Sequence, residues 1–184
     1  LADLIYTKGA IERMTAKGEV FIELDREDIT QKIQALYEDG VESLTVSLLN
    51  SYANPKHEKE IRDIALFINP DIPVTISHDI LPEFREYERT LTTVMNSYVR
   101  PPMQKYLTNI QQKLNNEQIN SRISIVRSDG GLMNIPATSE RPVHTMLSGP
   151  SGGVTASAMI GKQTGYRNII SFDIFCHFDQ WHLK

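Results

Sequence analysis

The chain has little cysteine, little tryptophan and no long hydrophobic run. Its 184 residues include one cysteine, Cys176, and one tryptophan. A single cysteine excludes an intramolecular disulfide framework and is typical of a reducing compartment, so we expect a cytoplasmic protein. No stretch approaches the ~18 consecutive apolar residues of a transmembrane helix, and the amino-terminus lacks a basic segment followed by an apolar core. We therefore expect neither a membrane partner nor export.

An excess of positive charge is also lacking. The 19 basic and 23 acidic residues give a formal net charge of −4, and the basic residues are dispersed along the chain. Nucleic-acid surfaces need a basic block or stripe, so nucleic acid is not an expected partner. What the chain does have is 40% hydrophobic residues, which suffices to bury the core of one domain with part of a second.

Apolar periodicity in residues 20–80 predicts alternating strands and helices. We expect strands at Val20–Leu24, Ser43–Leu49 and Val74–Ser77. Asp25 should cap the first intervening helix, Gly40 should end it, and Asn54–Pro55 should open the second, which Asn69–Pro70 ends. The expected inward-facing residues are Ile29, Ile33, Leu36, Tyr37, Ile61, Ile64, Ala65 and Ile68. This β-α-β-α-β order predicts an α/β protein, with a mixed sheet and packed helices.

Residues 84–116 repeat apolar side chains at helical spacing around Pro101–Pro102, which predicts two helices or one broken helix. Beyond a polar boundary at residues 115–121, we expect a strand at Ile123–Val126, a helix at Ala156–Gln163 and a strand at Asn168–Phe172.

Two glycine turns are the most informative feature of the chain. They lie in residues 127–132 and 147–154, where each joins an apolar run to a polar loop or a helix start. Glycine permits positive φ and close backbone approach to a ligand, and amides at a helix N-terminus favour an anion. The candidate ligand-binding residues are therefore Gly130, Gly131, Ser148, Gly149, Gly152 and Gly153.

Polar residues in these turns have two interpretations. Asp129 follows a predicted strand at a tight turn, where α/β proteins place ligands, so it is a candidate catalytic residue. Alternatively, its side chain satisfies the amides of an Asp-Gly turn. Ser148 and Ser151 either contact a ligand or cap the following helix.

Five stretches together resemble the hydantoinase A/5-oxoprolinase family, which includes N-methylhydantoinase subunits and the related acetone and acetophenone carboxylase subunits. They occur in the family's order, and the resemblance covers roughly residues 5–173, so it is more specific than a lone glycine turn. The stretches are residues 49–58 (Leu-Asn-Ser-Tyr-Ala-Asn-Pro, then His-Glu), 77–90, 92–101, 127–132 and 147–154.

The resemblance implies a partial actin-like ATPase fold of the ribonuclease H-like type with a long helical segment. Residues 1–120 would be the C-terminal part of the family's N-terminal region, 121–173 the start of its central domain, and 174–184 a divergent tail. It also implies ATP-dependent opening of a cyclic amide such as 5-oxoproline or a hydantoin. Phosphorylation of the amide oxygen would create a leaving group, with Mg²⁺ neutralising phosphate charge and glycine-turn amides stabilising oxyanions. Implied partners are a hydantoinase B-type subunit or further copies of the chain.

Family members carry two glycine-rich phosphate loops, and this chain begins past the first. At the second, Asp173 matches the first acid, which implies a catalytic and Mg²⁺-binding role. The following residues, including Phe175 and His177, lack glycine and oppose close approach of a phosphate. We therefore expect a fragment without ATPase activity. The alternatives are an inactive domain acting only in subunit interaction, a fragment of a ketone carboxylase subunit, or a small-ligand-binding module.

Two further clusters have simple explanations. Cys176, His177 and His182 match no common zinc spacing, so we interpret them as a chance cluster. The charged run from Glu83 to Arg89 predicts a solvated helix face with pairs three residues apart. The competing interpretation is that Arg85 or Arg89 clamps a carboxylate or contacts a partner subunit. Aromatic residues at 175, 178 and 181 predict self-association.

Overall fold

The computed structural model describes residues 3–119 and 122–172. These residues form two compact units, with residues 139–143 belonging to the first and the remainder of 122–172 to the second. Within the described residues, no helix is long and apolar enough to cross a membrane. Asp173 and the tail cluster of Cys176, His177, His182 and the aromatic residues lie outside the described residues.

The first unit contains the expected alternation of strands and helices. Strands β1 (Arg13–Met14) and β2 (Val20–Ile22) form an antiparallel hairpin, followed by α1 (Arg26–Glu38), β3 (Leu44–Val46), α2 (Lys56–Ile68) and β4 (Val74–Ile76). Strands β3 and β4 pair in parallel, with Thr45 opposite Thr75. The α/β class is confirmed. The single mixed sheet is not, because the described strands form separate two-stranded ladders, one parallel and two antiparallel.

Local signals place the helix ends as expected. The Asp25 side chain accepts from the Asp28 amide (3.0 Å) at the start of α1, and Gly40 follows its end with φ +81°. In α2 the Asn54 side chain accepts from the Lys56 amide (3.0 Å), and the helix ends before Asn69. The apolar faces of both helices pack on β3 and β4, where a side chain such as Ile33, which is 1% exposed, contributes about 1.5–3 kcal/mol.

The long helix of the first unit crosses the two prolines. Helix α3 (Ser77–Ile80) leads into α4 (Glu86–Asn116), which contains Pro101 and Pro102 and is continuous, so the predicted break is wrong. Proline removes an amide and disfavours a helix interior. Here the helix packs on both sides of the prolines, through Asn96 and Ser97 before them and Leu107 after them, and this packing outweighs the local cost.

The stripe that α4 buries is polar, which apolar periodicity did not predict. Its buried residues before the prolines are Arg89, Thr93, Asn96 and Ser97, whereas the neighbouring Tyr98 is 83% exposed. Ser97 accepts from Thr45 of β3 (2.7 Å), and Asn96 bonds the backbone at Glu140 and Val143. Hydrogen bonds to β3 and to residues 139–143 therefore orient this helix.

The second unit consists of short elements around one longer helix. Strands β5 (Ile125–Val126) and β6 (Leu132–Met133) form a hairpin, followed by α5 (Ile135–Glu140), which ends in the first unit, and α6 (Ser148–Thr164). The predicted strand at Asn168–Phe172 is wrong, since these residues carry no strand pairing and Ile170 is 96% exposed. A strand needs a hydrogen-bonding neighbour, and no described strand lies beside this segment.

Candidate functional site

A buried polar cluster lies where β3 and β4 end. We call it the Glu58 network. Glu58 is fully buried, and its carboxylate accepts from the Leu48 amide (2.9 Å), the Ser77 hydroxyl (2.6 Å) and the His78 amide (3.0 Å). Because the single Ser77 proton goes to Glu58, the Ser77 oxygen accepts from Ser51 (3.1 Å) and from Arg89 Nε (3.1 Å).

Arg89 completes the Glu58 network. Its guanidinium is 1% exposed and also donates to the carbonyls of Glu83 (2.7 Å) and Leu48 (2.8 Å). The predicted solvated face is therefore wrong for Arg89, although Arg85 is exposed and lies 3.9 Å from Glu88. A buried charge must be paired or fully hydrogen-bonded, and here every Arg89 nitrogen donates to a protein acceptor. Arg89 thus positions the chain segments that supply its three acceptors.

The first family-like stretch holds the β1–β2 hairpin. Asn50, which has φ +58°, donates to the Met14 carbonyl (2.9 Å), and Asn54 donates to the Gly18 carbonyl (2.9 Å). His57 is 1% exposed, with Nδ1 2.8 Å from Glu12 Oε2. The polar side chains in residues 49–58 therefore form hydrogen bonds with the hairpin backbone and with Glu12. Their role in this unit is structural.

The two glycine turns meet in the second unit. Gly130 has φ +84°, and a Cβ added there would lie 3.3 Å from Ser151 Oγ, so the first turn packs directly on α6. The Ser128 hydroxyl accepts from the Leu147 amide (3.0 Å) at the start of that helix. Ser128 thus binds the amide of the residue that directly precedes α6. The N-cap of α6 is Leu147, and no side-chain cap forms there, so the capping alternative for Ser148 and Ser151 is wrong.

Asp129 forms the local turn predicted as the simpler interpretation. Its Oδ1 accepts from the Gly131 amide (2.9 Å), its Oδ2 lies 2.7 Å from Arg127 Nη2, and the Gly130 amide donates to the Arg127 carbonyl (3.0 Å). The Gly131 amide and then Arg127 hold the pKa of this carboxyl below its usual range. A carboxylate so stabilised is a weak proton acceptor at neutral pH, so electrostatic roles suit it better than general-base catalysis.

The remaining candidates lie in the first turns of α6. Ser148 begins the helix, and Gly149, Gly152 and Gly153 follow within it rather than in a preceding loop. The first amides of a helix have no acceptor inside the helix, and those of Ser148 and Gly149 are of this kind. This end of α6 therefore suits one anionic oxygen.

The described residues offer donors to a single anionic group. The α6 amides suit a single phosphate or carboxylate, and ionised Asp129 lies on the turn that packs against α6. Residues 3–119 and 122–172 hold no cluster of three or more His, Cys, Asp or Glu residues suited to a metal. Asp173, the Mg²⁺ ligand that the resemblance implies, lies outside the described residues.

Sequence reasoning missed Ser128, Glu58 and Arg89 as organising residues. The position of Ser128, directly before Asp129 in the glycine turn, was the signal that could have identified it. Glu58 and Arg89 lay in family-like stretches. A charged residue among other charged residues is predicted to be exposed, because neighbouring sequence does not reveal the tertiary partners that would allow its burial.

Comparisons with known proteins agree with the resemblance. Residues 7–68 match the hydantoinase/oxoprolinase N-terminal region, and residues 89–174 match the hydantoinase/oxoprolinase family. The acetophenone carboxylase gamma subunit of Aromatoleum aromaticum is 32% identical over 171 residues, which are 90% of this chain and 23% of that protein. The chain thus spans about a quarter of the length of such relatives.

Solved structures give the same result. Nucleotide-free acetone carboxylase, from work on ATP-dependent acetone carboxylation, superposes with a TM-score of 0.77 at 29% identity, over 87% of this chain and 23% of that one. The ATP-dependent caprolactamase of Pseudomonas jessenii superposes with a TM-score of 0.75 at 30% identity, over 85% and 23%. On sequence and on structure alike, the chain belongs to the hydantoinase/oxoprolinase family.

Proposed function

We propose that this chain is part of an ATP-dependent enzyme that opens a cyclic amide such as 5-oxoproline or a hydantoin, with an actin-like nucleotide fold in the complete enzyme. The observation that carries the proposal is the packing of the Gly130 turn on Ser151 at the start of α6, beside ionised Asp129. Family membership and the ATP-dependent caprolactamase relative support it, because caprolactam is itself a cyclic amide.

The residues of the second unit would bind and orient an anionic group. The amides of Ser148 and Gly149 donate to one oxygen, Gly152 and Gly153 keep the adjoining helical turn free of side chains, and the Gly130–Gly131 turn permits close approach. Asp129 stays ionised and holds the turn closed through Gly131. ATP, when bound, supplies the phosphoryl group that activates the amide oxygen, and Asp173 would contribute to its Mg²⁺.

Inorganic phosphate tests this anion site in the chain itself. We expect saturable shifts of backbone amide resonances at Ser148, Gly149 and residues 128–131 on addition of phosphate to ¹⁵N-labelled protein, and smaller shifts in Gly149→Pro, which removes one donor. Thr164→Ala, at the far end of the same helix, is the matched control. Shifts confined to surface lysines would contradict the proposal.

We expect no ATP hydrolysis by the chain alone, because the residues after Asp173 lack the glycines of the family's second phosphate loop. Phosphate release is measured with Mg²⁺, ATP and 5-oxoproline. Turnover above background that Asp173→Ala abolishes would show that the chain carries the chemistry unaided.

A second candidate function is subunit interaction without catalysis. Three relatives carry subunit names, the acetophenone carboxylase gamma and acetone carboxylase beta subunits and caprolactamase subunit alpha. The second unit exposes apolar side chains on and near α6, including Leu147 at 67% and Val154 at 64%. Sedimentation of the chain with and without a hydantoinase B-type subunit separates the candidates. Phosphate shifts without co-sedimentation favour the first, and co-sedimentation without shifts favours the second.

A further inference from the structure

The first unit contains a cavity unrelated to the glycine turns. It has a volume of about 390 Å³ and lies along β4, between α2, α4 and residues 140–141; we call it the β4 cavity. A cavity of this size falls within the range of small-molecule sites and far exceeds what one water needs.

Two residues that line the β4 cavity each carry a buried polar atom with no hydrogen-bond partner in the described part of the chain. The atoms are Thr75 Oγ1, on a residue 4% exposed, and Arg100 Nε. Buried hydroxyl and guanidinium groups are normally hydrogen-bonded, so two such atoms on residues that line one cavity indicate an acceptor that the protein itself does not supply.

The fold places these two residues on neighbouring positions. Thr45 and Thr75 are paired across β3 and β4, so their side chains share one sheet face, and the Thr45 hydroxyl donates to Ser97 of α4. Arg100 follows Ser97 by three residues on that helix, and its Nη1 donates to the carbonyl of Val74 (3.1 Å). Burial lowers the pKa of Arg100 below its usual value, and the charge of Glu140 acts in the opposite direction.

The other charges at the cavity select the kind of ligand. Arg62 and Asp79 neutralise each other at 3.1 Å. Arg141, Glu140 and Asp71 are exposed residues that line the rim of the cavity. These rim carboxylates disfavour a dianion, whereas a carboxylate with a short apolar body can bring one negative charge to Arg100.

We propose that the β4 cavity binds a small monocarboxylic acid, whose carboxylate accepts from Thr75 Oγ1 and Arg100 Nε. Gln104 lies on the same wall and offers a further amide donor. The apolar end of the acid would contact Leu66, Ile72 and Ile80. This site is independent of the proposed ATP-dependent chemistry.

Butyrate is the probe, titrated into the full chain at constant ionic strength with chloride as the reference anion. We expect a saturable shift of the Arg100 Nε–H resonance in ¹H–¹⁵N spectra with butyrate and none with chloride. Thr75→Val should weaken butyrate binding roughly tenfold, since a hydrogen bond to a charged acceptor is lost. Arg100→Lys, which keeps the charge but lacks the Nε–H, should weaken it at least as much.

Thr45→Val is the matched control, because it makes the same change on the paired residue, whose hydroxyl is already bonded to Ser97. It should leave butyrate affinity unchanged. The proposal would be overturned, leaving a cavity that holds water, by any of three results. These are equal shifts with butyrate and chloride, equal butyrate affinity in Thr75→Val and the unmodified chain, or no saturable shift at all. A tighter response to phosphate than to butyrate would overturn the monocarboxylate assignment.

Discussion

Replacing Glu58 by glutamine should destabilise the first unit far more than any surface charge change. Glutamine keeps the volume and one carbonyl oxygen, which can still accept from Leu48 and Ser77. Its amide nitrogen replaces the oxygen that accepts from the His78 amide at 3.0 Å, so two donors would face each other. The negative charge that offsets buried Arg89 is also lost.

The expected loss follows from these contacts. The hydrogen bond from the His78 amide to a charged group disappears, and that buried amide is left unsatisfied. Buried Arg89 also loses the negative charge to which Ser77 connects it. Together these changes should lower the free energy of unfolding by about 2–4 kcal/mol. A domain of this kind has about 5–15 kcal/mol in total, so the variant should still fold.

Glu60→Gln is the control, two residues further along α2. Glu60 pairs with exposed Arg26 at the surface, so its loss should cost less than about 1 kcal/mol. Urea unfolding followed by far-UV circular dichroism gives the stabilities, and hydrogen exchange at the Leu48 and His78 amides reports the network directly. Equal losses for the two variants, with unchanged exchange at these amides, would refute the reasoning.

Three further predictions concern backbone and charge. Gly130→Ala should lower the free energy of unfolding by about 1–2 kcal/mol, because φ is +84° and the new Cβ would lie 3.3 Å from a side-chain oxygen. Gly152→Ala, whose new Cβ would have nothing within 4 Å, should raise it by about 0.5–1 kcal/mol in the same urea assay. Asp129 has a lowered folded-state pKa, so its stabilising contribution is present above the unfolded value and lost as pH falls through the folded value. Carboxyl ¹³C titration should show this midpoint below that of a model peptide, and a midpoint at or above the peptide value would contradict it. Pro101→Ala restores an amide donor to the Ser97 carbonyl and should raise the free energy of unfolding by about 1–3 kcal/mol in the same urea assay; an unchanged or lower value would count against it.

The ends and inner faces of α1 and α2 were predictable because their causes are local. Asp25 accepts the amide of a residue three positions away, Gly40 supplies the positive φ that ends a helix, and Ile29, Ile33 and Leu36 recur at helical spacing. Such signals involve a few adjacent residues, so neighbouring sequence is enough. The glycine turns were recognisable for the same reason, and the local Asp129–Gly131 bond was one of the two interpretations that the residues allowed.

The sequence by itself thus determined the α/β alternation, the ends of the early helices and the family. Only the tertiary structure decided the burial of Arg89, the unbroken course of α4 through Pro101 and the absence of strand pairing at residues 168–172. Each of these outcomes depends on partners distant in sequence. Arg89 is buried because Leu48 and Ser77 supply acceptors, α4 persists because its polar stripe bonds β3, and a strand forms only beside another strand.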